Sequence, residues 1–470
     1  MDSSAIFAVT AIASAIGGLA LWAVQRSSKS KEPTFPSLPK WPLLGNILDY
    51  ADASFTKRIN SYPTPVWFSL PGFMGPILLV HDPDQARYVS SKAVSSRIVF
   101  GEPKLTTLFG GYESIFGATG KEHKRLRVLS MKAVSKNAMK QQFPLLQDLA
   151  RETLENMARN PKAETQGISC LPHFQKLAFN AICIFMAGGD EAQLNQLVGL
   201  YDDFIDISHG FKAMFLPPFL EYFNGGLKAK AFEAQARILT KVSEITNERR
   251  CAMEDGNIYS DALSSLIEAR DENGSSLSDR DIGFMFLVLC GAGFETTSMQ
   301  LTTIFYFITN MVSNTDLEAL QQEVDSFGEL SESNLSQSPI LNAFVKESLR
   351  IFNVAPFVIR IATEDFTLDG VNVPANSLFA AFHERGSLIE GGEAFELKRY
   401  LGDPSFDKDE FMPFGTGERR CLGFQLAMLE IKIVIAELLR GFVATKGVGK
   451  AKHVHVGTRL IESPVCIRPK

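Results

Sequence analysis

Hydrophobic and polar positions divide the chain into an uncharged N-terminal run, a short β-like region and a long helical body. Residues Ala5 to Val24 carry no charge, and a helix of about 20 such residues is roughly 30 Å long, enough to cross a bilayer once. Arg26, Lys29 and Lys31 follow this run, whereas Asp2 is the only charged side chain before it. The asymmetry favours a membrane anchor with a cytosolic body over a cleaved signal peptide, whose basic residues would come first.

Prolines spaced three apart follow the apolar run and end at a glycine. Because proline lacks a backbone N–H and fixes its own φ, this stretch is predicted to be extended. We therefore expect an N-terminal transmembrane anchor at residues 1–26, a basic and proline-rich linker at 27–46, and one large domain at 47–470. The punctuating residues are Pro33, Pro36, Pro39, Pro42 and Gly45.

The pattern beyond the linker predicts a mainly α body with small β regions. Two apolar β-like runs, residues 66–70 and 77–80, are separated by the turn residues Pro71 and Gly72. Helical periodicity then dominates, and short strands return beyond residue 357. The predicted helices cover residues 120–160, 172–187, 190–208, 227–254, 275–312 and 422–440.

The segment 275–312 is the longest predicted helix. Ser278 offers an N-cap, and residues 284–289 are apolar around the whole circumference, which is typical of a central helix. Residues 291–293, Gly-Ala-Gly, and then 295–297, Glu-Thr-Thr, predict an interruption where polar groups enter the core. Since buried polar groups need a partner or a purpose, this interruption is a candidate site.

Composition excludes several classes of protein. The 470 residues are 45% hydrophobic and 21% charged, so the chain can bury a large core and is neither disordered nor a multi-span membrane protein. A net charge of −6 and a pI near 5.8 argue against a nucleic-acid partner, which requires a basic face. The six cysteines form no CxxC or CxxxC pair, which excludes a disulfide framework and structural zinc. Any sulfur chemistry therefore uses a single cysteine.

Cys421 lies in a loop suited to such chemistry. Gly415 and Gly417 precede it, Gly423 follows it, and a helix begins directly afterwards. A helix N-terminus and the nearby Arg419 favour the thiolate over the thiol. The residues alone leave three interpretations open: a nucleophile, an axial metal ligand, or an inert buried cysteine after a glycine turn.

Three motifs carry a resemblance to a known family. The segment Phe414-x-x-Gly417-x-Arg419-x-Cys421-x-Gly423 resembles the haem-binding signature of the cytochrome P-450 enzymes at all five fixed positions. Residues 292–297, Ala-Gly-Phe-Glu-Thr-Thr, look like the family's oxygen-activating motif, and Glu347-Ser-Leu-Arg350 looks like its Glu-x-x-Arg pair. The resemblance covers nearly the whole chain and implies the cytochrome P-450 fold, a single large domain around one haem b.

The same resemblance implies roles for individual residues. Cys421 would be the axial ligand of the haem iron, Phe414 would shield its sulfur, and Arg419 would meet a haem propionate. Glu295 and Thr296 would relay protons to the oxygen being activated. Gly417 and Gly423 would shape the loop that binds the cofactor.

Further cations match the family's contacts with the haem propionates. His123 and Arg127 are four apart on one helix face, where the family usually has Trp-x-x-x-Arg, and Arg360 matches another propionate partner. On charge alone, residues 120–127 are better interpreted as a solvated basic turn.

Glu347 and Arg350 are three apart, which by itself describes an ordinary surface pair. In the family this pair is buried and joined by an arginine from a Phe-x-Pro-x-Arg-Phe segment. Here residues 395–400 read Phe-Glu-Leu-Lys-Arg-Tyr, so Leu397 replaces the proline. Arg399 would be the third member of the cluster.

The resemblance implies a haem-thiolate monooxygenase that inserts one oxygen atom from O2 into a lipophilic substrate, and a sterol, terpenoid or fatty acid is expected. Electrons would come from a separate NADPH-cytochrome P-450 reductase, with cytochrome b5 as a second candidate donor, because the chain has no dinucleotide-binding fingerprint. The docking face would lie near Cys421 and include Arg420 and Lys432. The expected location is the endoplasmic reticulum membrane, with the catalytic domain in the cytosol.

Two other function classes stay open. A haem protein of the same fold could bind or sense a ligand, or isomerise or dehydrate it, although the Glu295-Thr296 pair argues against this. A cysteine hydrolase would bind no haem at all. Elsewhere, His453 and His455 share a strand face but lack a third metal ligand, and Cys290 is interpreted as a core residue.

The substrate pocket is expected to be apolar, because the chain contains 36 Phe and 13 Met. Its predicted walls are the loop of residues 95–118, the region around residues 211–223, and one face of the central helix. On that helix we expect Phe286, Leu289 and Phe294 to line the pocket.

Overall fold

The computed structural model describes most of the body of the chain. The described residues are 35–38, 59, 61–62, 64–69, 75–91, 93–98, 107–134, 136–213, 226–382, 394–402, 412–456 and 458–470. The anchor predicted at residues 1–26 and nearly all of the linker predicted at 27–46 lie outside them, as do residues 99–106 and 214–223 of the predicted pocket walls.

Helices dominate the described body, as the periodicity predicted. The run at residues 227–254 forms one helix with the predicted ends, whereas the runs at 120–160 and 190–208 each form two helices. The helices are α1 (Pro83–Ser90), α2 (Gly120–Ala133), α3 (Lys136–Ala158), α4 (Leu171–Ala187), α5 (Glu191–Val198), α6 (Tyr201–Ala213), α7 (Leu227–Glu254), α8 (Ala262–Glu268), α9 (Asp279–Asn310), α10 (Asn314–Ser326), α11 (Glu332–Gln337), α12 (Pro339–Ile351), α13 (Lys398–Gly402) and α14 (Phe424–Gly441).

A five-stranded sheet in the order β1-β2-β7-β4-β3 accompanies the helices. β1 and β2 pair antiparallel, with Val66 opposite Leu79, and β2 pairs with β7 in parallel. Three two-stranded sheets are also described: β5–β6, β8–β11 and β9–β10. The strands are β1 (Val66–Phe68), β2 (Ile77–Val80), β3 (Ser96–Ile98), β4 (Phe357–Ala362), β5 (Phe366–Leu368), β6 (Val371–Val373), β7 (Leu378–Phe382), β8 (Phe442–Lys446), β9 (Lys452–Val456), β10 (Thr458–Glu462) and β11 (Val465–Pro469).

The central helix α9 organises the core. The Ser278 hydroxyl accepts a hydrogen bond from the Asp281 N–H, and the Asp281 carboxylate accepts one from the Ser278 N–H, which together form a capping box. The helix runs through residues 291–297 without a break, so the predicted interruption is wrong. Packing against α4 and α7 outweighs the poor helix propensity of the two glycines.

Among the described residues, α9 is the one helix that is long and apolar enough to cross a membrane. Most residues in the most apolar stretch of α9 are buried inside the protein. Burial on this scale identifies α9 as a core helix. It carries the polar motif at residues 295–297 into the middle of the fold.

Candidate functional site

The cysteine loop is fixed by a close approach of two backbones. Gly417 has φ +69°, and a Cβ built on it would lie 1.8 Å from the carbonyl oxygen of Ser90 at the end of α1. No residue with a side chain fits there without moving that backbone. The loop then closes through the Cys421 N–H, which donates to the Phe414 carbonyl at 2.9 Å. Gly423 and α14 follow, so the sulfur lies beside a helix N-terminus as predicted.

The Cys421 thiol is accessible, yet enough atoms surround it that burial raises its pKa above the ordinary value. Because the sulfur is accessible and yet surrounded by many atoms, we infer that it lines an internal cavity. The Gly423 N–H, Arg127 and Arg420 act in the opposite direction, but burial dominates. Burial therefore favours the thiol over the expected pre-formed thiolate, and a bound metal ion would displace the proton.

Four basic side chains gather near this cavity. His123 is 3% exposed, and burial together with the charges of Arg419, Arg127 and Arg360 lowers the pKa of His123 to about 3. Burial also lowers the pKa of Arg360 and of Arg419 to about 10. His123 is thus a neutral imidazole, a hydrogen-bond donor among three guanidinium groups. The solvated basic turn that charge alone favoured is wrong for His123, which faces the core.

The donor set fits a buried dianion. Among the described residues, Arg127 and Arg360 make no side-chain hydrogen bond or ion pair, and the buried Nε of Arg360 is left without a partner. Burying cations without counter-charges is costly. The two propionate carboxylates of a haem would supply those counter-charges, so His123, Arg127 and Arg360 fit the cofactor that the cysteine loop implies.

One face of α9 is less buried than the rest of the helix. Leu289, Ala292, Gly293 and Thr296 are partly exposed in a helix whose other positions nearby are mostly buried. Their spacing of three and four places them on one face. The Thr296 hydroxyl donates to the Ala292 carbonyl at 2.8 Å, which leaves its oxygen able to accept another bond.

The Glu295 carboxylate is paired with side chains of α6. It is 6% exposed, its Oε2 accepts a hydrogen bond from the Ser208 hydroxyl at 2.9 Å, and its Oε1 pairs with Lys212. Ser208 and Lys212 are one turn apart on α6. Sequence reasoning missed both, because nothing local links α6 to α9; the only available signal was that a buried carboxylate needs a cation.

The predicted wall of the pocket needs correction. Phe286 and Phe294 are fully buried and contact Phe204 of α6 at ring distances of 5.9 and 6.4 Å. They belong to the core between α6 and α9 and do not line a cavity. Of the three predicted wall residues on α9, Leu289 alone lies on the partly exposed face. An all-round apolar pattern does not reveal which buried face meets a cavity.

The Glu-x-x-Arg pair is buried and has its third member. Arg350 donates to Glu347 through Nε at 2.7 Å and through Nη2 at 2.8 Å. Arg399 lies 3.4 Å from the same carboxylate, and the Glu396 N–H donates to it at 2.9 Å. Leu397 in place of proline therefore leaves the cluster assembled, and the surface-pair alternative is wrong.

Three minor expectations have clear outcomes. Cys290 is fully buried, and burial raises its pKa well above the ordinary value, as expected of a core residue. His453 and His455 do lie on one strand, β9, but no group of three or more possible metal ligands occurs among the described residues. Lys432 is 8% exposed and lies near Lys346 and Glu332, so its expected place on a docking face is wrong.

Known proteins resemble this chain over nearly its whole length. A family profile described as Cytochrome P450 matches residues 35–454. The beta-amyrin 11-oxidase of Glycyrrhiza uralensis is 25% identical over 437 residues, which cover 88% of this chain and 86% of the relative. The cytochrome P450 26B1 of Danio rerio is 26% identical over 442 residues, 89% of this chain and 83% of the relative. A solved structure, a retinoic acid bound cyanobacterial CYP120A1, matches with a TM-score of 0.78 at 21% identity, over 94% of this chain and 100% of that chain.

Proposed function

Because this chain belongs to the cytochrome P450 family, we propose that it is a membrane-anchored haem-thiolate monooxygenase that inserts one oxygen atom from O2 into a lipophilic isoprenoid. The observation that supports this most strongly is a pair of guanidinium groups near the cysteine loop, those of Arg127 and Arg360, which make no side-chain hydrogen bond or ion pair among the described residues. Arg127 is close enough to Cys421 for its charge to lower the pKa of the thiol, in opposition to burial. A cofactor with one metal ion and two carboxylates would bind the Cys421 sulfur through the metal and pair its carboxylates with the guanidinium groups.

The residues divide the work between holding the cofactor and handling protons. Bound haem supplies the reductive activation of dioxygen. Cys421 would ligate its iron, and neutral His123 would donate a hydrogen bond where Arg127 and Arg360 supply charge. The Thr296 hydroxyl, on the accessible face of α9, would hold a proton for the reacting oxygen. Glu295 would return protons to Thr296 when its pairing with Lys212 loosens.

The proposed substrate class rests on the relatives and on the lining. Two proteins similar to this chain are named for beta-amyrin and retinoic acid, and both compounds are isoprenoids. Phe109 contacts the rings of Phe116 and Phe211 at 6.1 and 6.0 Å, which forms an aromatic cluster between residues 107–118 and α6. Apolar walls with few polar groups suit such a molecule. The uncharged run from Ala5 to Val24 would keep the enzyme where lipophilic substrates dissolve.

The electron donor is proposed to be a separate NADPH-dependent reductase in the endoplasmic reticulum membrane. The inner face of α2 carries His123 and Arg127, and its outer face exposes lysines beside two apolar side chains, Val128 at 47% and Met131 at 54%. That outer face lies about one helix diameter from the cavity. We place the docking surface there; it comprises Lys121, Lys124, Val128, Met131 and Lys132.

Turnover with labelled dioxygen tests the proposal. The full-length protein is reconstituted with a reductase in phospholipid vesicles and given beta-amyrin or retinoic acid. We expect substrate-dependent NADPH oxidation and a product carrying one labelled oxygen atom. A ligand that binds and shifts the haem spectrum, yet promotes no NADPH oxidation, would instead indicate a sensor.

Thr296→Ala separates proton handling from folding. NADPH oxidation should continue while product per NADPH falls about tenfold or more, because general acid–base contributions are typically 100-fold or larger. Thr302→Ala is the matched control, since its hydroxyl makes the same bond to the preceding turn, at 2.8 Å, from a buried position. If the two variants form the same amount of product per NADPH oxidised, Thr296 has no special role in the mechanism.

A further inference from the structure

Arg419 makes contacts that its place in the cysteine loop does not suggest. Its Nη1 donates to the carbonyl oxygens of Ile115 at 2.7 Å and Phe116 at 3.3 Å. Its Nη2 donates to the carbonyls of Ser96 at 2.9 Å and of Ala118. These acceptors lie between 301 and 323 residues away along the chain. One guanidinium therefore binds four backbone carbonyls of β3 and of the loop that follows it.

This arrangement differs from that of the other buried cations. Arg127 and Arg360 have no such partners among the described residues, so they stay available to carboxylates. Both terminal nitrogens of Arg419 already donate twice. A planar fork can serve four acceptors on two elements, whereas the single ammonium of a lysine cannot. The basic groups thus divide into Arg419, which holds backbone, and the rest, which suit the propionates.

The segment held by Arg419 reaches α6 and α9 through aromatic contacts. The ring of Phe116 meets Phe109 edge to face at 6.1 Å, and Phe109 meets Phe211 of α6 at 6.0 Å. Phe109 also fills a notch in α9: a Cβ on Gly291 would lie 2.6 Å from its Cε1. Aromatic pairs of this geometry hold each other in place. A continuous set of contacts therefore joins the cysteine loop to α6 and α9.

We propose that Arg419 is a positioning residue that holds residues 107–118 as the roof of the substrate pocket and thereby decides which ligands fit. The expected contact of Arg419 with a propionate would then be secondary to this clamp. The inference rests on the proposed function, because a roof selects ligands only where a ligand binds. Its structural part, the clamp on residues 115–118, stands on the hydrogen bonds alone.

Amide hydrogen exchange and two iron-binding probes test the clamp in the purified full-length holoprotein. Arg419→Lys keeps the positive charge but removes the two terminal nitrogens that donate to the four carbonyl oxygens. We expect exchange at residues 115–118 to accelerate about tenfold or more, since several hydrogen bonds are lost. The dissociation constant of phenylimidazole, which is large enough to reach the roof, should rise about tenfold. That of imidazole, which is too small, should stay within about twofold, and haem content should be unchanged.

Arg420→Lys is the matched control, because Arg420 is the exposed neighbour and lies over the Phe424 ring at 4.2 Å. Arg420→Lys should leave unchanged both the amide exchange at residues 115–118 and the ratio of the phenylimidazole and imidazole dissociation constants. Arg419→Lys with reduced haem content but native exchange would overturn the clamp in favour of a propionate role. Equal weakening of both probes would also overturn the proposal.

Phe109→Leu tests the other end of the connection and does not depend on the folding of the arginine variant. It should weaken phenylimidazole binding and leave imidazole binding unchanged. An unaltered ratio of the two dissociation constants would overturn the role of the roof. A wild-type protein whose spectrum does not respond to imidazole would contradict the proposed function instead, while amide exchange would still measure the clamp.

Discussion

Glu430 is a carboxyl group buried in α14, and its Oε2 has no hydrogen-bond partner among the described residues. Burial raises the pKa of Glu430 from 4.5 to about 8. Below pH 4.5 the carboxyl is neutral in the folded and the unfolded chain, and stability is highest. As pH rises towards 8 the unfolded chain loses its proton first, so the free energy of unfolding falls.

Glu430→Gln should remove this pH dependence, because the amide stays neutral. We expect the variant to exceed the wild type at about pH 8 by on the order of 2–4 kcal/mol in free energy of unfolding, and to show no such gain near pH 4.5. Urea unfolding at the two pH values measures it. Glu437→Gln is the control: its carboxylate accepts bonds from Gln147 and Arg151, so no gain is expected. The same difference from wild type at both pH values would contradict the prediction.

For single residues, the sequence predicts the chemical role of a side chain better than it predicts which distant side chain pairs with it. Cys421 and its glycines form one local motif, so the loop and the helix after it could be predicted. The pairing of Glu295 with Lys212 could not, because the two lie on different helices and only packing brings them together. The raised pKa of the Cys421 thiol escaped prediction for the same reason, since burial depends on the whole fold.

At the scale of elements, one side chain joins four helices. Arg249 of α7 is fully buried and donates to Gln193 of α5, to Ser264 and Asp261 at α8, and to the Ala187 carbonyl at the end of α4. Each of these acceptor residues is itself buried. A guanidinium satisfied on all sides stabilises the packing of these helices.

Arg249→Met should lower the free energy of unfolding by about 3–5 kcal/mol, because it leaves Asp261 as a buried charge without its main partner. Arg237→Met, on the exposed face of the same helix, removes the pair with Asp203 and should change the free energy of unfolding far less, because solvent screens an exposed ion pair. Denaturant unfolding of both variants measures the difference. Similar losses in the two would contradict the importance given to burial.

Helix ends show where periodicity is sufficient. The ends of α7 could be predicted because glycines and a turn flank an amphipathic run. The division of residues 120–160 into α2 and α3 could not, since the apolar spacing continues across it. The pocket-facing side of α9 was likewise beyond the sequence: Phe294 and Leu289 are equally apolar, and only the position of α6 separates core from cavity.

At the scale of the whole molecule, the outer face of α2 is the proposed docking surface for an electron donor. Lys124→Glu should raise the reductase concentration needed for half-maximal rate by about three- to tenfold and weaken its dependence on salt, because rim charges act on association. Lys452→Glu, an exposed lysine on β9, should have little effect. Equal effects of both variants would show that net charge, and not this face, matters.

The overall topology follows from the sequence only through the resemblance of its motifs. Periodicity predicted a mainly helical body, but not the order β1-β2-β7-β4-β3, which pairs strands within residues 66–98 with strands within residues 357–382. Convergence of His123, Arg360 and Cys421 on one cavity required the family's pattern, because they lie far apart in sequence. The structure adds an electrostatic feature of this site: the guanidinium groups of Arg127 and Arg360 make no side-chain ion pair among the described residues.

The central claim is that Cys421 ligates a haem iron, and the spectrum of the reduced carbon monoxide complex tests it most directly. The purified full-length protein should show the red-shifted Soret band of thiolate ligation. Cys251→Ser, at an exposed cysteine elsewhere, should keep that band, and Cys421→Ser should lose it. Survival of the red-shifted band in Cys421→Ser would contradict the account.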